Sequence, residues 1–377
     1  MTVRAWVAGV LVGVAPVLLG LTAASSASAE PAWLTEINMY RAATGLAPVS
    51  DEPAWDLGIE HHLTYLEKTP KSYFTGQYQS AHTENPASPY YTSDGATEAG
   101  YSDLDLGEAH SALQAVDIWL TAPFHAVGML RAQLTQVALA DDATTGYAGL
   151  DVIQGLNYAL PAATTPILFP GPGVTTNLVS FGGESPDPLE TCGWSPTSGA
   201  GLPLIVLLPQ APAAGLSATL TGPRGAESSA NGQLCVVDEL TYHSSDPIYG
   251  PTGLSILQGD NAVFLIPRRS LVTGTYSVSV SQTGQPDIDW SFSAMAPVTR
   301  TTIVGVHVHG HVVDVSIAAP TGTALRCAVV ARTKHGFGRA VYHRCGSSTV
   351  YRHVAAGRYR LMVESSAGDA SRGFSVR

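Results

Sequence analysis

The chain has 377 residues, 45% of them hydrophobic and 13% charged, with a formal net charge of −11. That length exceeds what one hydrophobic core ordinarily serves, which excludes a single small domain and predicts two or three. The total charge hides a division: residues 30–163 hold 17 acidic and 4 basic residues, residues 164–296 hold 10 and 3, and residues 297–377 hold 3 and 11. In residues 1–29, Arg4 follows the start, an apolar run reaches about Leu21, and Ala27-Ser28-Ala29 ends it in small residues. The pattern predicts a secretory signal peptide cleaved after Ala29, and hence a secreted, extracellular chain. Pro16 interrupts the run and argues against an uncleaved anchor, and no later stretch is long and apolar enough to cross a bilayer.

From Trp33 to about Leu66 the apolar spacing is helical, with Leu34, Ile37 and Tyr40 in one run and Leu57 to Leu66 in another. Gly45 and Pro48 separate the two. The Pro, Ser, Tyr and Gly-rich stretch from Ser80 to Gly107 reads as a long loop. Helical periodicity returns at Leu113, Val116, Trp119 and Leu120 and stops at Pro123, which leaves His125 at a turn. Short strands around Gly146 to Gly155 complete a mixed α and β region.

After about Ala162, alternating β-branched strands take over, among them Leu202 to Leu208, Leu216 to Leu220, Ala262 to Ile266 and Tyr276 to Val280. A second set runs from Thr302 to Val376. The stretches Val272 to Val280 and Ala355 to Val363 are related, each with a tyrosine in the middle, Tyr276 and Tyr359. The recurrence predicts two successive all-β immunoglobulin-like sandwiches. Thr164-Thr165-Pro166 and Ala296-Pro297 are the expected joints, so the expected division is signal peptide 1–29, an α+β domain 30–163, a β-sandwich 164–296 and a basic β-sandwich 297–377. The four cysteines, Cys192, Cys235, Cys327 and Cys345, have no Cys-x-x-Cys spacing, which excludes the usual zinc and thioredoxin motifs. Three pairings exist on paper. The local ones, Cys192 with Cys235 and Cys327 with Cys345, each stay within one expected domain.

His62, His82, Glu84, Glu98 and His125 are the groups of the first domain able to carry chemistry. Two neutral imidazoles and one carboxylate offer three ligands to a divalent metal such as zinc and leave a position open. Without metal, the same groups serve as general acid and base where an acidic neighbour raises a histidine pKa. The chain has neither a Gly-x-Ser-x-Gly nor a His-Glu-x-x-His motif.

Asn38-x-x-Arg41-x-x-x-Gly45-Leu46-x-Pro48-Val49, then His62-x-x-Tyr65-Leu66, then Asp117-x-Trp119-x-x-x-Pro123-x-His125 with Met129-Leu130, resembles the bacterial branch of the CAP superfamily. That is the group of cysteine-rich secretory, antigen 5 and pathogenesis-related 1 proteins, also called the SCP domain. His82-Thr83-Glu84-Asn85-Pro86, with Tyr91-Thr92 and Gly95, is similar to bacterial members too. The resemblance covers about residues 31–160 and implies an α-β-α sandwich with a cleft lined by two histidines and two acids. It assigns the histidines to His62 and His125 and the first acid to Glu98. Members with the full tetrad carry a glutamate three residues after the tryptophan, where this chain has Ala122, and Glu84, Glu108 and Asp117 are the alternatives left open.

Three functional readings follow. The first is an exported binding protein that holds a small or lipid-like ligand in the cleft, lipid capture being a property of the family at large, with the β-sandwiches attaching it to a surface and no cofactor required. The second is a hydrolase of envelope polymers using His62, His125 and an acid, with or without a divalent metal. The third is a structural or adhesive envelope protein with a vestigial cleft. His307, His309 and His311 alternate and read as the exposed side of a strand whose valines point inward. The arginines from Arg326 to Arg360 make the last domain a candidate for an anionic envelope polymer. Export counts against nucleic acid, and a monomer is expected.

Overall fold

The computed structural model describes residues 30–195, 199–295, 301–320, 323–334, 336–365 and 368–377. The expected signal peptide and the joint at Ala296-Pro297 lie outside the described residues. No helix among those described is long and apolar enough to cross a membrane.

The first region is built from α1 (Ala32–Ala43), β1 (Ser50–Asp51), α2 (Asp56–Lys68), α3 (Ser93–Tyr101), β2 (Ser102–Leu106), α4 (Ala112–Thr121), α5 (Pro123–Leu130), β3 (Gln136–Asp142) and β4 (Tyr147–Asp151). The strands form one sheet in the order β1-β3-β4-β2, with β1 parallel to β3 and the remaining pairs antiparallel. Alternation along β3 divides its side chains between two layers. Ala138 and Ala140 pack with Ile59 and Leu63 of α2, whereas Val137 and Leu139 join the core that holds Ile37, Trp119 and Val127 of the other helices. Gly149 of β4 makes the first layer fit: a Cβ there would stand 2.7 Å from Ile59 Cγ2.

The resemblance residues of α1 act as ties. Asn38 donates to the Val49 carbonyl and accepts from Val49 N, at 3.0 and 2.9 Å. Buried Arg41 donates to the carbonyls of Ala47, Met129, Arg131 and Leu134.

Two sequence expectations change here. The stretch read as a loop from Ser80 to Gly107 contains α3 and β2. α3 lacks an apolar repeat; it starts because the Thr92 hydroxyl accepts from Gly95 N at 3.0 Å, and it presses on α2 at Gly58, where a Cβ would meet Glu98 Cγ at 2.7 Å. Pro123 both stops α4 and opens α5 at a position where a missing N–H costs nothing, so His125 lies in the first turn of a new helix.

The second region contains β5 (Ile167–Phe169), β6 (Thr175–Thr176), β7 (Leu204–Leu207), β8 (Ser217–Gly222), β9 (Gly225–Ser228), β10 (Leu234–Val237), α6 (Gly250–Gly259), β11 (Ala262–Pro267), β12 (Gly274–Ser281) and β13 (Ile288–Ala294). One sheet runs β10-β11-β7-β5 and the other β6-β13-β12-β8-β9, with shared core residues between them as in a β-sandwich. Every residue of β11 is buried, because the outer side of its sheet is covered too: Phe264 meets Phe124 of α5 edge-on at 5.0 Å. The core is therefore continuous from Trp33 to Ala294. Tyr40 Oη and Thr176 Oγ1, 2.7 Å apart, add a buried polar tie. The helix α6 interrupts a stretch expected to hold only strands; it opens at Gly250-Pro251 and buries Leu257 as its one fully covered apolar side chain.

The third region contains β14 (Thr302–His309), β15 (Val312–Ala318), β16 (Leu325–Thr333), β17 (Gly336–Phe337), β18 (His343–Cys345), β19 (Ser348–Tyr351), β20 (Gly357–Glu364) and β21 (Ala370–Val376). Its sheets are β14-β15-β19 and β17-β16-β20-β21, with β18 also paired to β16. They enclose a separate core of Val313, Val315, Ile317, Leu325, Leu361 and Val363. Disulfides join Cys192 to Cys235 and Cys327 to Cys345, each inside one β region, as fits an extracellular chain. The related stretches share a detail as well. Tyr276 Oη donates to the Val272 carbonyl at 3.0 Å and Tyr359 Oη to the Ala355 carbonyl at 2.8 Å, and each ring stacks on a phenylalanine of the next strand at 5.4 Å.

Candidate functional site

His62 is on the buried side of α2 and has both ring nitrogens engaged, Nδ1 with Glu84 Oε1 and Nε2 with the Ala81 carbonyl, each at 2.9 Å. Glu84 Oε2 accepts from Thr92 N at 3.1 Å, and Tyr65 Oη, one turn along α2 from His62, accepts from Asn85 N at 2.8 Å. The loop 81–85 is thus clamped over the helix. From the second region, Tyr249 Oη accepts from Ala81 N at 2.9 Å and its ring meets His82 edge-on at 6.2 Å. His82 Nδ1 donates to the Ala99 carbonyl at 3.1 Å. Burial, and then the nearby charge of His125, lower the His82 pKa to about 4, so this ring is neutral at pH 7.

His125 finds its carboxylate outside the first region. Its Nδ1 donates to Glu184 Oε2 at 2.8 Å, and the same carboxylate accepts from Phe124 N at 3.1 Å, which caps the start of α5 where Ala122 has no side chain to do so. Burial works against a charged ring, but the Glu184 hydrogen bond and the carboxylates of Asp103, Glu184 and Asp105 outweigh it and raise the His125 pKa to about 9. Asp103 of β2 has a buried Oδ2 with no hydrogen-bond partner, and burial, opposed by His125 and Arg131, puts its pKa at about 7. The His125 side chain is 16% exposed and that of Glu184 is 1% exposed.

The remaining candidates lie elsewhere. Glu98 lies beside Asp151 at the end of β4: burial and then the Asp151 charge raise its pKa to about 8, while Asp151 Oδ1 accepts from Ile153 N and Gln154 N at 2.8 and 2.9 Å. Glu108 is exposed. Asp117 is half-buried, its pKa pushed to about 6 by burial and by Glu36. His307 and His309 are exposed on β14, and His311, past the strand end, bonds the Val354 carbonyl at 2.9 Å.

The acids beside the two principal histidines are therefore Glu84 and Glu184. No spacing rule points to Glu184, which follows His125 by 59 residues and belongs to the next region. The arrangement does not suit zinc. Both ring nitrogens of His62 have protein partners, His125 keeps only Nε2, and among the described residues no group of three or more His, Cys, Asp or Glu is placed to hold a metal ion. Chemically, the cluster holds a buried cation against a buried anion across two regions.

A separate cavity of about 390 Å³ opens where the same two regions meet, lined by Arg131, Ile153, Leu156 and Tyr158 from one side and Leu208 and Ile256 from the other. Arg131 and Asp260 form a forked ion pair at its edge, with Nε to Oδ1 and Nη2 to Oδ2 both at 2.9 Å.

No protein-family model matches the sequence, and no curated protein does. Among solved structures, the chain is similar to DIP-gamma IG1+IG2, at 10% identity over 48% of this chain and 89% of that one with a TM-score of 0.22. It is also similar to titin domains A168-A170, at 10% identity over 64% and 82% with a TM-score of 0.21. The Yersinia pseudotuberculosis adhesin InvE gives 10% identity over 48% and 55%, with a TM-score of 0.19. At TM-scores of this size, none of these bears on what this chain does.

Proposed function

We propose that the chain is an exported, non-catalytic envelope protein of the CAP type, in which the cleft histidines have become a joint between modules and the outer surfaces do the binding. One observation carries the reading: both histidines that the resemblance assigns to the cleft are committed to carboxylates, and one of these, Glu184, comes from the following β region. Helices on both faces of the β1–β4 sheet agree with the α-β-α layering that the resemblance implies. The test is metal analysis of the secreted full chain, with an ester, peptide and glycan hydrolysis panel on it and on the His62→Ala, His125→Ala double variant. Substoichiometric zinc and no turnover are expected. One zinc per chain, or turnover lost in the variant, would reject the reading in favour of the hydrolase. N-terminal sequencing of the secreted protein is expected to begin at Glu30.

A small-ligand reading has support of its own at a different place. The cavity beside Arg131 is within the roughly 300–1,000 Å³ of small-molecule sites, and its lining is mainly apolar. Mass spectrometry of the intact chain, with Ile256→Trp to fill the space, tests it: a co-purifying amphipathic molecule absent from the variant supports the reading, and none in either form sinks it.

A further inference from the structure

The second sheet of the last region has one side that gathers arginines. Directly paired residues share a face of a sheet, and so do alternate residues along a strand. On β16 the residues on the side away from Leu325 and Cys327 are Arg326, Ala328, Val330 and Arg332, of which the two arginines are exposed and Ala328 and Val330 are buried. Their partners share that side: Arg344 and Glu364 opposite Arg326, Arg360 opposite Val330, and Phe337 opposite Arg332. Arg358, two residues before Arg360, follows. On β21 the same side offers only Ser371, Gly373 and Ser375, which leaves the approach open.

Five arginines therefore lie on one face, all exposed. Two acids stand at one end of the face, Glu364, 3.7 Å from Arg326, and Asp369, just before β21, which acts with Glu364 on Tyr342; no carboxylate lies in salt-bridge range of Arg332, Arg344, Arg358 or Arg360 among the described residues. Aromatic rings order the guanidiniums: Arg360 Cζ stands 4.2 Å over the Phe337 ring, and Arg326 Cζ is 5.8 Å from the Tyr342 ring. Charge left unpaired in a domain of this net sign is a field for a polyanion. Strand geometry sets its scale: alternate residues are about 7 Å apart, and Arg326 to Arg332 spans about 20 Å.

We propose that this face binds an extended extracellular polymer whose sugar or polyol repeats each carry an oxyanion, held by forked arginine contacts. The inference rests on the envelope reading only for choosing such a polymer over nucleic acid; the arginine face stands without it. Lys68→Ser, Lys71→Ser, Arg352→Ser removes equal charge from exposed positions elsewhere and serves as the control.

The experiment measures binding of the full chain to polyglycerol phosphate, heparin and polygalacturonate at several salt concentrations, with single-stranded DNA as a fourth probe. Expected is binding of at least one of the three polymers that weakens steeply with salt, as release of condensed counterions requires. The Arg332→Ser, Arg358→Ser, Arg360→Ser triple should weaken it at least tenfold and flatten the salt dependence. The control triple should stay within twofold, and Arg358→Ser alone, at an exposed position, should cost two- to threefold without disturbing the fold. Which polymer binds distinguishes phosphate, sulfate and carboxylate sources. Equal losses in both triples, or salt-independent binding, would overturn the proposal, and so would DNA bound more tightly than every polymer. A secreted N-terminus other than Glu30 would instead count against cleavage after Ala29 alone.

Discussion

His125 Nδ1 and Glu184 Oε2 are 2.8 Å apart, a bond that joins the first turn of α5 to a segment of the following β region. It links a cation to an anion where little water reaches either. Because Glu184 also accepts from Phe124 N, its removal uncaps α5 as well as stranding the histidine.

Glu184→Gln is expected to cost about 3 kcal/mol, the scale for removing one partner of a buried ion pair. The informative readout is the histidine itself. In the native chain the His125 ring should titrate near pH 9, and in the variant its midpoint should fall by more than one pH unit, because the Glu184 hydrogen bond and charge are lost while only Asp103 and Asp105 still hold it up. Imidazole NMR signals followed across pH check this; an unmoved midpoint would mean that Glu184 does not set the charge.

Stability should fall as pH rises from 6.5 to 9. The folded-state pKa of His125 lies above its ordinary 6.5, so its contribution is complete below that value and is lost as pH passes through about 9. Asp103 and Glu98 also hold protons longer in the folded state, so each lowers stability as pH rises from its ordinary value to about 7 and about 8, and the upper part of those ranges adds to the fall. His82, lowered to about 4, acts in the opposite sense, but its effect is complete by about pH 6.5. Urea unfolding at pH 6 and pH 9 is expected to differ by about 2–5 kcal/mol, each proton giving up to about 1.4 kcal/mol per pH unit. The Asp103→Asn, Glu98→Gln pair should remove much of the slope, and a native-like slope in that variant would refute the assignment.

The β regions were legible in the sequence in two ways: Tyr276 to Val280 alternates, as the half-buried β12 does, and Ala262 to Ile266 is a short apolar run that marks the fully buried β11. Asn38 and Arg41 stood out only through the family resemblance, and both hold backbone that follows or packs against α1. α3 and α6 were not legible, since each is held by tertiary contact at glycines and carries no apolar repeat. His62 and Glu84 were both singled out from local pattern. Glu184 was not, because the partner of a buried histidine is selected by the packing of two regions, and that leaves no periodic trace. Glu98 was named for the cleft, yet it faces Asp151, a residue brought near only by the pairing of β2 with β4.

Tyr276→Phe and Tyr359→Phe are expected to cost about 1 kcal/mol each, the net scale of one hydrogen bond. The larger loss should come from Tyr276. It is 4% exposed, and its hydroxyl also accepts from Val272 N at 2.9 Å, so the substitution strands a donor as well as an acceptor. Equal losses in chemical denaturation would show that the two corners differ in shape only.

The disulfides should separate the two cores. In the loop-entropy model, the 43-residue separation of Cys192 and Cys235 corresponds to about 4 kcal/mol and the 18-residue separation of Cys327 and Cys345 to about 3 kcal/mol. The cores they support are distinct, so the two losses should appear in different transitions. The tryptophans of the described residues, Trp33, Trp55, Trp119, Trp194 and Trp290, all precede residue 301, which makes their fluorescence a reporter of the first two regions. Cys327→Ala, Cys345→Ala is expected to lower one calorimetric transition and leave the fluorescence midpoint in place, whereas Cys192→Ala, Cys235→Ala should move the fluorescence midpoint. If the first pair of substitutions shifts the fluorescence as much as the second, the last β region unfolds together with the rest, and the independence of its core is disproved.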